Sequence, residues 1–324
     1  MKEKVYIIIL NWNHHEDTIE CLESVFLNEY CNYQVIVCDN ASTDNSMEKI
    51  RKWADGYHNI GIKYYLYTQS DIKKIDFRNE EDVPLILIEN EKNLGYAGGN
   101  NIGIQYTMGK NDFSYIWILN NDTVVEKMAL TYLVKKAKRN PKIGLCGSLL
   151  HYYYEPERVQ AINGVYNKYF ATSQYNTSIL SLKPIDYVVG ASMLISKEFI
   201  EDIGLLSEEY FLYYEELDWV MRAKGKYIQA YATESIVYHK EGATIGGKSN
   251  PLDKSELADF YSIKNRIVFT KKYFPYFLPT VYLGIIVSIV NRIRRKQFKR
   301  VKMILKIIWK MPESYFAYKE SDGS

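Results

Sequence analysis

Four short apolar runs in the first 120 residues each stop abruptly at polar or acidic residues. Val5–Leu10 is followed by Asn11-Trp12-Asn13, Val35–Cys38 by Asp39, Leu85–Ile88 by Glu89-Asn90, and Tyr115–Leu119 by Asn120-Asn121-Asp122. Unbroken runs of this length, rich in β-branched and aromatic residues, predict strands buried on both faces. The strands are expected at 5–10, 34–38, 85–89 and 115–119. Helical patterns fall between them near 17–28, 45–55, 100–109 and 126–139, with Asp17 and Thr123 as candidate caps. This alternation predicts an α/β fold with a mainly parallel sheet. Ligands of such sheets lie beyond the carboxyl ends of the strands, where these polar residues stand.

The pattern changes twice further along. Residues 57–83 form a polar, Tyr-rich interruption expected to hold one strand, at 62–67. From about 143, strand-like stretches at 143–150, 185–195 and 227–238 are separated by longer irregular segments. They predict a mixed edge of the same sheet and a second half over 146–250, beside a first half over 1–145.

After Pro251 the chain becomes helical, and 251–324 is expected to be a separate tail. Phe274–Val290 is seventeen residues without a charge, at the lower limit for a membrane span. Phe298, Val301, Leu305 and Ile308 then recur at helical spacing among Lys299, Lys302, Lys306 and Lys310. Residues 291–324 carry ten Lys/Arg against three Asp/Glu, although the whole chain has a net charge of only +2. A basic amphipathic helix beside an apolar one predicts attachment to an anionic membrane surface.

Composition narrows the class. Of 324 residues, 47% are hydrophobic and 25% charged, which suits a globular protein. Cys21, Cys31, Cys38 and Cys146 have no paired spacing and read as reduced thiols of a cytosolic protein. The first apolar run is too short for a signal peptide. A cytoplasmic protein, peripheral at the inner face of the cell membrane, is therefore expected. A Gly-x-Gly-x-x-Gly turn after the first strand and a P-loop are both absent, which disfavours NAD enzymes and P-loop NTPases.

Several groups can carry chemistry. Asp39, at a strand end, can accept a hydrogen bond from the ring N–H of uracil or thymine. Small residues in Asn93–Asn101 suit a glycine-rich turn that starts a helix near phosphate or ribose oxygens. Asn120, Asn121 and Asp122 offer oxygen ligands to a hard divalent cation, and His239 adds a nitrogen, which favours Mn²⁺ over Mg²⁺. Glu215, Glu216 and Asp218 cluster beside aromatic residues, where partial burial raises a carboxylate's pKa toward that of a general base.

In this order the motifs resemble the family 2 inverting glycosyltransferases, in particular the bacterial rhamnosyltransferase-like branch with a GT-A fold. The resemblance covers about residues 4–245. It rests on Ile9–Asn13, Asp39–Asp44, Asn93–Asn100, Leu119–Thr123, Gly190-Ala191-Ser192, Glu215–Asp218 with Arg222, and Val237-Tyr238-His239. It implies transfer of a sugar, with rhamnose one candidate, from a UDP or dTDP donor to a glycan or lipid-linked acceptor, assisted by Mn²⁺ or Mg²⁺. Nucleic acid is not an expected partner. The resemblance makes 1–145 the donor half and 146–250 the acceptor-facing, catalytic half, with acceptor specificity expected in 57–83 and 150–185. Asn11, Asn13, Asp39, Asn93, Gly95, Gly98, Asn100 and Asn121 fall at donor-binding positions, and Gly190, Ala191 and Arg222 on the acceptor side. Asp122 would hold the metal with His239 and Asn120, and Glu216 would be the base, with Glu215 or Asp218 as substitutes. Two positions depart from the family pattern: Asn120 replaces an Asp, and Glu216 stands where an Asp is usual. The alternatives are a sugar-nucleotide-binding protein without transfer activity, a nucleotidyltransferase, and a membrane-bound scaffold.

Overall fold

The computed structural model describes residues 3–75, 77, 81–178, 185–240 and 255–322. Its elements in chain order begin with β1 (Val5–Asn11), α1 (His15–Phe26), β2 (Tyr33–Asp39), α2 (Ser46–Gly56), β3 (Tyr64–Thr68), α3 (Gln69–Ile72) and β4 (Leu85–Glu89). There follow α4 (Gly95–Lys110), β5 (Tyr115–Asn120), β6 (Thr123–Val125), α5 (Ala129–Ala137), β7 (Ile143–Tyr152), β8 (Glu155–Ala161), β9 (Asn163–Asn167) and β10 (Thr172–Asn176). The sheet region closes with β11 (Ser192–Ser196), α6 (Lys197–Ile203), α7 (Glu215–Ala223) and β12 (Ile228–His239).

The main sheet runs β3-β4-β2-β1-β5-β11-β7-β12-β6, with β8 on β7, while β9 and β10 form a separate hairpin. β3, β4, β2, β1 and β5 are mutually parallel, and β11 is antiparallel to β5. Register aligns Asn11 with Asp39, Asp39 with Glu89, and Leu10 with Asn120. Four strand ends therefore deliver their polar residues to one edge. Helices cover both faces: Val5, Ile7 and Ile9 enter one core with Leu22 and Leu130, while Tyr6 and Ile8 enter the other with Ile104 and Trp219. Double-sided burial explains why these strands read as continuous apolar runs.

Several expected boundaries are corrected. The stretch 57–83 contributes an edge strand at 64–68 and the short α3, and part of it lies outside the described residues. The same holds for part of 150–185, whose described residues include β8, β9 and β10. Of 185–195, only Ser192 onward is a β-ladder strand; Tyr187 makes an isolated bridge to Gly164. The expected caps also differ. α1 opens after His14 at φ +56°, with Asp17 inside the first turn, and Thr123 lies in β6.

The glycine-rich turn is mostly helix. α4 begins at Gly95, so Gly98 and Gly99 are helical. A Cβ at Gly99 would overlap the Leu10 side chain, so the missing side chain lets α4 lie close against β1. Gly95 does meet the turn requirement, with φ +71° and no room for a side chain against Phe211.

Among the described residues that follow are the α-helices α8 (Glu256–Tyr273), α9 (Leu278–Arg294), α10 (Phe298–Lys310) and α11 (Tyr315–Asp322). Their core joins Phe260, Ile263 and Ile267 to Val281, Ile285, Met303, Ile304 and Ile307, and it includes Ala171 and Leu212 from the sheet region. Buried Asp259 pairs with Arg292 and Arg300 across this bundle.

Candidate active site

Asp39 is buried at the end of β2, where Oδ1 accepts from Asn11 Nδ2 (2.6 Å) and Ser42 Oγ (2.6 Å), and Oδ2 from the Ser42 N–H (2.9 Å). A carboxylate has about four acceptor sites, so three bonds fix its plane and leave capacity for a ligand N–H. Asn11 Oδ1 in turn accepts from Thr18 Oγ1 (2.6 Å), which accepts from Asn121 Nδ2 (3.0 Å). One hydrogen-bonded chain thus runs from Asp39 across the sheet edge to the Asn121-Asp122 corner. Asn13, at φ +58°, closes the other side through Oδ1, which accepts from the Thr43 N–H (2.9 Å).

Asn93, Gly95, Gly98 and Asn100 serve the backbone more than an open cleft. Asn93 Oδ1 accepts from Asn40 Nδ2 (2.9 Å) and the Gly95 N–H (2.9 Å). Asn100 is fully buried, with Nδ2 on its own helix at Tyr96 O (2.9 Å). A Cβ on Gly98 would meet Leu94. Asn40 was not singled out by sequence, yet it also reaches Gly95 O (3.0 Å) and accepts from the Leu94 N–H (3.0 Å), pinning the start of α4. Its only sequence sign was its place beside Asp39.

Pairing of β12 with β6 sets His239 opposite Thr123, next to Asp122. His239 Nε2 lies 3.2 Å from Asp122 Oδ1, and Nδ1 lies 2.8 Å from Gln160 Oε1. With a hydrogen on Nδ1 donated to Gln160, Nε2 presents its lone pair toward a carboxylate oxygen. That contact is repulsive unless a proton or a cation lies at it, so the pair suits a divalent ion. Among the described residues no group of three or more His, Cys, Asp or Glu forms a metal cluster. Two protein ligands completed by substrate phosphates and water are a familiar arrangement for such ions. Asn120 meets this corner through its carbonyl, which accepts from Thr123 Oγ1 (2.7 Å), and its N–H donates to Ala191 O (3.0 Å).

The acid cluster separates into two roles. Glu215 and Glu216 open α7, after a loop with left-handed φ at Phe211 (+63°), Tyr213 (+68°) and Tyr214 (+79°). For non-glycine residues each such angle costs roughly 1–3 kcal/mol. Glu215 is buried, its Oε2 has no hydrogen-bond partner among the described residues, and burial and then Glu216 raise its pKa well above the ordinary value. Burial also raises Glu216, opposed by backbone N–H groups including that of Gly190. A side chain on Gly190 would overlap Glu216 Oε1, and Tyr96 Oη donates to Gly190 O (2.7 Å). Glu216, Gly190, Ala191 and Tyr96 therefore share one wall next to the Asn120 corner.

Asp218 and Arg222 stand apart from that wall. Asp218 is fully buried and accepts from Arg222 Nε (2.7 Å), Lys272 Nζ (2.8 Å) and Tyr273 Oη (2.6 Å). Burial alone would raise its pKa, but these donors outweigh it and hold the carboxyl below its ordinary value. Such a group is a fixed anion with no opening to an incoming hydroxyl, so Asp218 is corrected from a substitute base to an ion-pair anchor. Arg222 also binds Ile203 O (2.6 Å) and Leu205 O (2.7 Å), which makes it a clamp between α6 and α7 and corrects its acceptor-side assignment.

A mixed, mainly parallel sheet flanked by helices, with polar residues gathered at its strand ends, is a GT-A-like fold. The chain belongs to glycosyl transferase family 2, which it matches over residues 6–204. It is 24% identical over 230 residues to the low-salt glycan biosynthesis hexosyltransferase Agl10 of Haloferax volcanii, covering 70% of this chain and 64% of that protein. It is 22% identical over 253 residues to a poly-beta-1,6-N-acetyl-D-glucosamine synthase of Staphylococcus epidermidis, covering 76% of this chain and 52% of the synthase. The alignments therefore span between half and two-thirds of these relatives. Among solved structures, GalNAc-T7 with UDP, GalNAc and Mn²⁺ superposes with a TM-score of 0.61 at 13% identity, over 86% of this chain and 50% of that one. The mannosyltransferase PcManGT from Pyrobaculum calidifontis, in complex with GDP-Man and Mn²⁺, superposes with a TM-score of 0.54 at 12% identity, over 95% and 86%. At such identities these likenesses establish the fold alone.

Proposed function

We propose that this chain is an inverting glycosyltransferase that moves a hexose from a UDP- or dTDP-sugar to a hydroxyl of a cell-surface glycan or lipid-linked acceptor. The observation that carries the reading is the partly buried Glu216, set against Gly190 on the same sheet edge as Asp39 and the Asp122–His239 pair. Asp39 accepts from the base N–H, Asn11 and Ser42 hold its plane, and the start of α4 lies beside the ribose. Asp122 and His239 would hold a divalent metal, which would supply charge neutralisation to the diphosphate.

Glu216 accepts the proton of the acceptor hydroxyl as that oxygen bonds to the anomeric carbon. The bond from that carbon to the diphosphate oxygen breaks on the opposite face, and the nucleoside diphosphate leaves with the electron pair. Burial and the neighbouring Glu216 push the Glu215 carboxyl well above the ordinary range, so a negative charge on the pair is favoured at Glu216, which backbone N–H groups face. Rhamnose is the donor sugar the sequence resemblance raises, and the hexosyltransferase relative fits the broader hexose class.

Attachment at the inner membrane face is part of the proposal. Pro275–Arg294 is long and apolar enough to cross a membrane, with a mean hydropathy of 1.5. Its Val281 and Ile285 nevertheless pack into the α8–α10 core, while Leu283, Ile286, Val287 and Val290 face outward. A helix with one packed stripe and one exposed apolar stripe suits an in-plane position.

The deciding experiment is a panel of UDP- and dTDP-sugars, dTDP-rhamnose among them, incubated with Mn²⁺ or Mg²⁺ and acceptor. Release of nucleoside diphosphate is expected, and Glu216→Gln should lower turnover by ~10²–10⁴-fold with UDP affinity unchanged. Near-native turnover by that variant would remove Glu216 from the role of base. Pyrophosphate release from a nucleoside triphosphate would overturn the reaction class.

A further inference from the structure

The loop that presents Glu215 and Glu216 does not hold its shape by its own chemistry. Phe211, Tyr213 and Tyr214 are aromatic residues at left-handed φ, a region that suits glycine and that bulky side chains avoid. Something outside the loop must select this conformation. α8, in the C-terminal helical region, makes the contacts that do so.

Tyr261, Asn265, Phe269 and Lys272 lie at i, i+4, i+8 and i+11, on one face of α8. The Asn265 amide is fully buried, and its Nδ2 lies within hydrogen-bond distance of three carbonyls of this loop, among which its two hydrogens are shared: Tyr210 O (2.8 Å), Leu212 O (2.7 Å) and Tyr213 O (3.0 Å). Three carbonyl oxygens around one atom require the NH₂ end there and exclude the amide oxygen. Tyr261 stacks on Phe211 with centroids 4.6 Å apart and planes at 15°. Phe269 packs on Tyr210 and Tyr214, and Lys272 reaches Asp218. The loop's other side is held by the donor-binding half, where Phe211 O accepts from the Tyr96 N–H (2.7 Å).

We infer that α8 is an integral part of the catalytic site, and that Asn265 is a positioning residue that holds the left-handed Tyr210–Tyr214 turn and thereby aims Glu216 at the acceptor hydroxyl. Asn265 touches neither donor nor acceptor in this scheme. The inference rests on Glu216 being the base. Without the amide, Leu212 O and Tyr213 O lose this donor, Tyr210 O is left with the Leu212 N–H (2.7 Å), and the turn relaxes toward ordinary backbone angles, which carries the start of α7 away from Gly190.

The test uses the full chain with its nucleotide-sugar donor, Mn²⁺ and acceptor, comparing Asn265→Ala with Glu216→Gln. Turnover is normalised to UDP-binding sites counted by calorimetry, so that a smaller folded fraction is not mistaken for slower chemistry. Asn265→Ala is expected to lower kcat per binding site at least tenfold, with donor KM and UDP affinity within twofold of the parent. A merely structural role predicts fewer sites, each with parental kcat, and that result would overturn the inference. If the alanine variant does not fold, Asn265→Ser, whose hydroxyl keeps one donation, is judged by the same criterion. An inactive Glu216→Gln beside a fully active Asn265→Ala leaves the base assignment standing and sinks only the positioning role. A fully active Glu216→Gln sinks the base assignment itself.

Discussion

Two glutamates adjacent in sequence differ in what surrounds them, and the roles proposed for them rest on that difference. Glu215 is buried with an unpartnered oxygen, whereas Glu216 receives backbone N–H groups on a partly exposed wall. Both pKa values are pushed up, chiefly by burial, and Glu215 is also raised by Glu216. A base must be ionised, so turnover should fall as pH drops through a midpoint above the ordinary carboxylate value of 4.5. Glu215→Gln removes the proton-sharing partner and should move that acid limb. A kcat–pH profile with its acid midpoint at or below 4.5 would count against the pair. At the metal corner, Asp122→Asn should weaken Mn²⁺-dependent UDP binding. Gln160→Leu should cost ~10–100-fold in metal affinity, because it removes the group that orients His239. Calorimetric Mn²⁺ titrations equal to the parent's would exclude these roles. Asp122 and His239 stood out in the sequence because carboxylates and imidazoles at strand ends are chemically conspicuous. Gln160, on β8, had no such mark, and only the pairing of β8 with β7 and of β7 with β12 brings it to the imidazole.

At the scale of elements, α7 is tied to the rest of the molecule through Asp218. Its carboxylate binds Arg222 on its own helix and Lys272 and Tyr273 on α8, all within 2.8 Å. Removing one member of a buried ion-pair network leaves the others uncompensated, so Asp218→Ala should destabilise by ~3–5 kcal/mol. Urea unfolding checks this, and a loss under 1 kcal/mol would show that the network contributes little. Stability should also fall in acid. Because the folded-state pKa of Asp218 lies below its ordinary value, the contribution is complete above that value and is lost as pH falls through the depressed one. Element existence was largely legible from periodicity, and boundaries were less so. The Gly98-Gly99 pair suggested a turn by local propensity, but close packing on Leu10 places it within a helix. Tertiary contact overrode the weak local preference.

On the scale of the whole molecule, α9 and α10 present Leu283, Ile286, Val287, Phe298, Leu305 and Trp309 to solvent, with Trp309 87% exposed. Exposed Lys299 and Lys302 lie beside this stripe. The chain should bind vesicles containing anionic phospholipid, with a blue shift of Trp309 fluorescence that high salt reverses. Each basic residue near such a surface contributes ~1 kcal/mol, so neutralising Lys299 and Lys302 together should weaken partitioning about 30-fold. Equal binding to neutral and anionic vesicles, or none to either, would rule out this surface.

The sequence by itself determined the parallel sheet, its polar edge, Asp39, Asp122, the acid pair and the basic tail. All of these follow from local patterns: apolar runs, abrupt polar ends and charge spacing. Tertiary structure alone decided which acid is available and which is consumed. Glu215, Glu216 and Asp218 are near-equivalent as letters, and Lys272, Tyr273 and Gly190, which distinguish them, lie 26 to 55 residues from the acids they contact. It also decided that Asn265 grips the loop before α7, since burial and hydrogen bonding between distant segments leave no periodic trace in either segment alone.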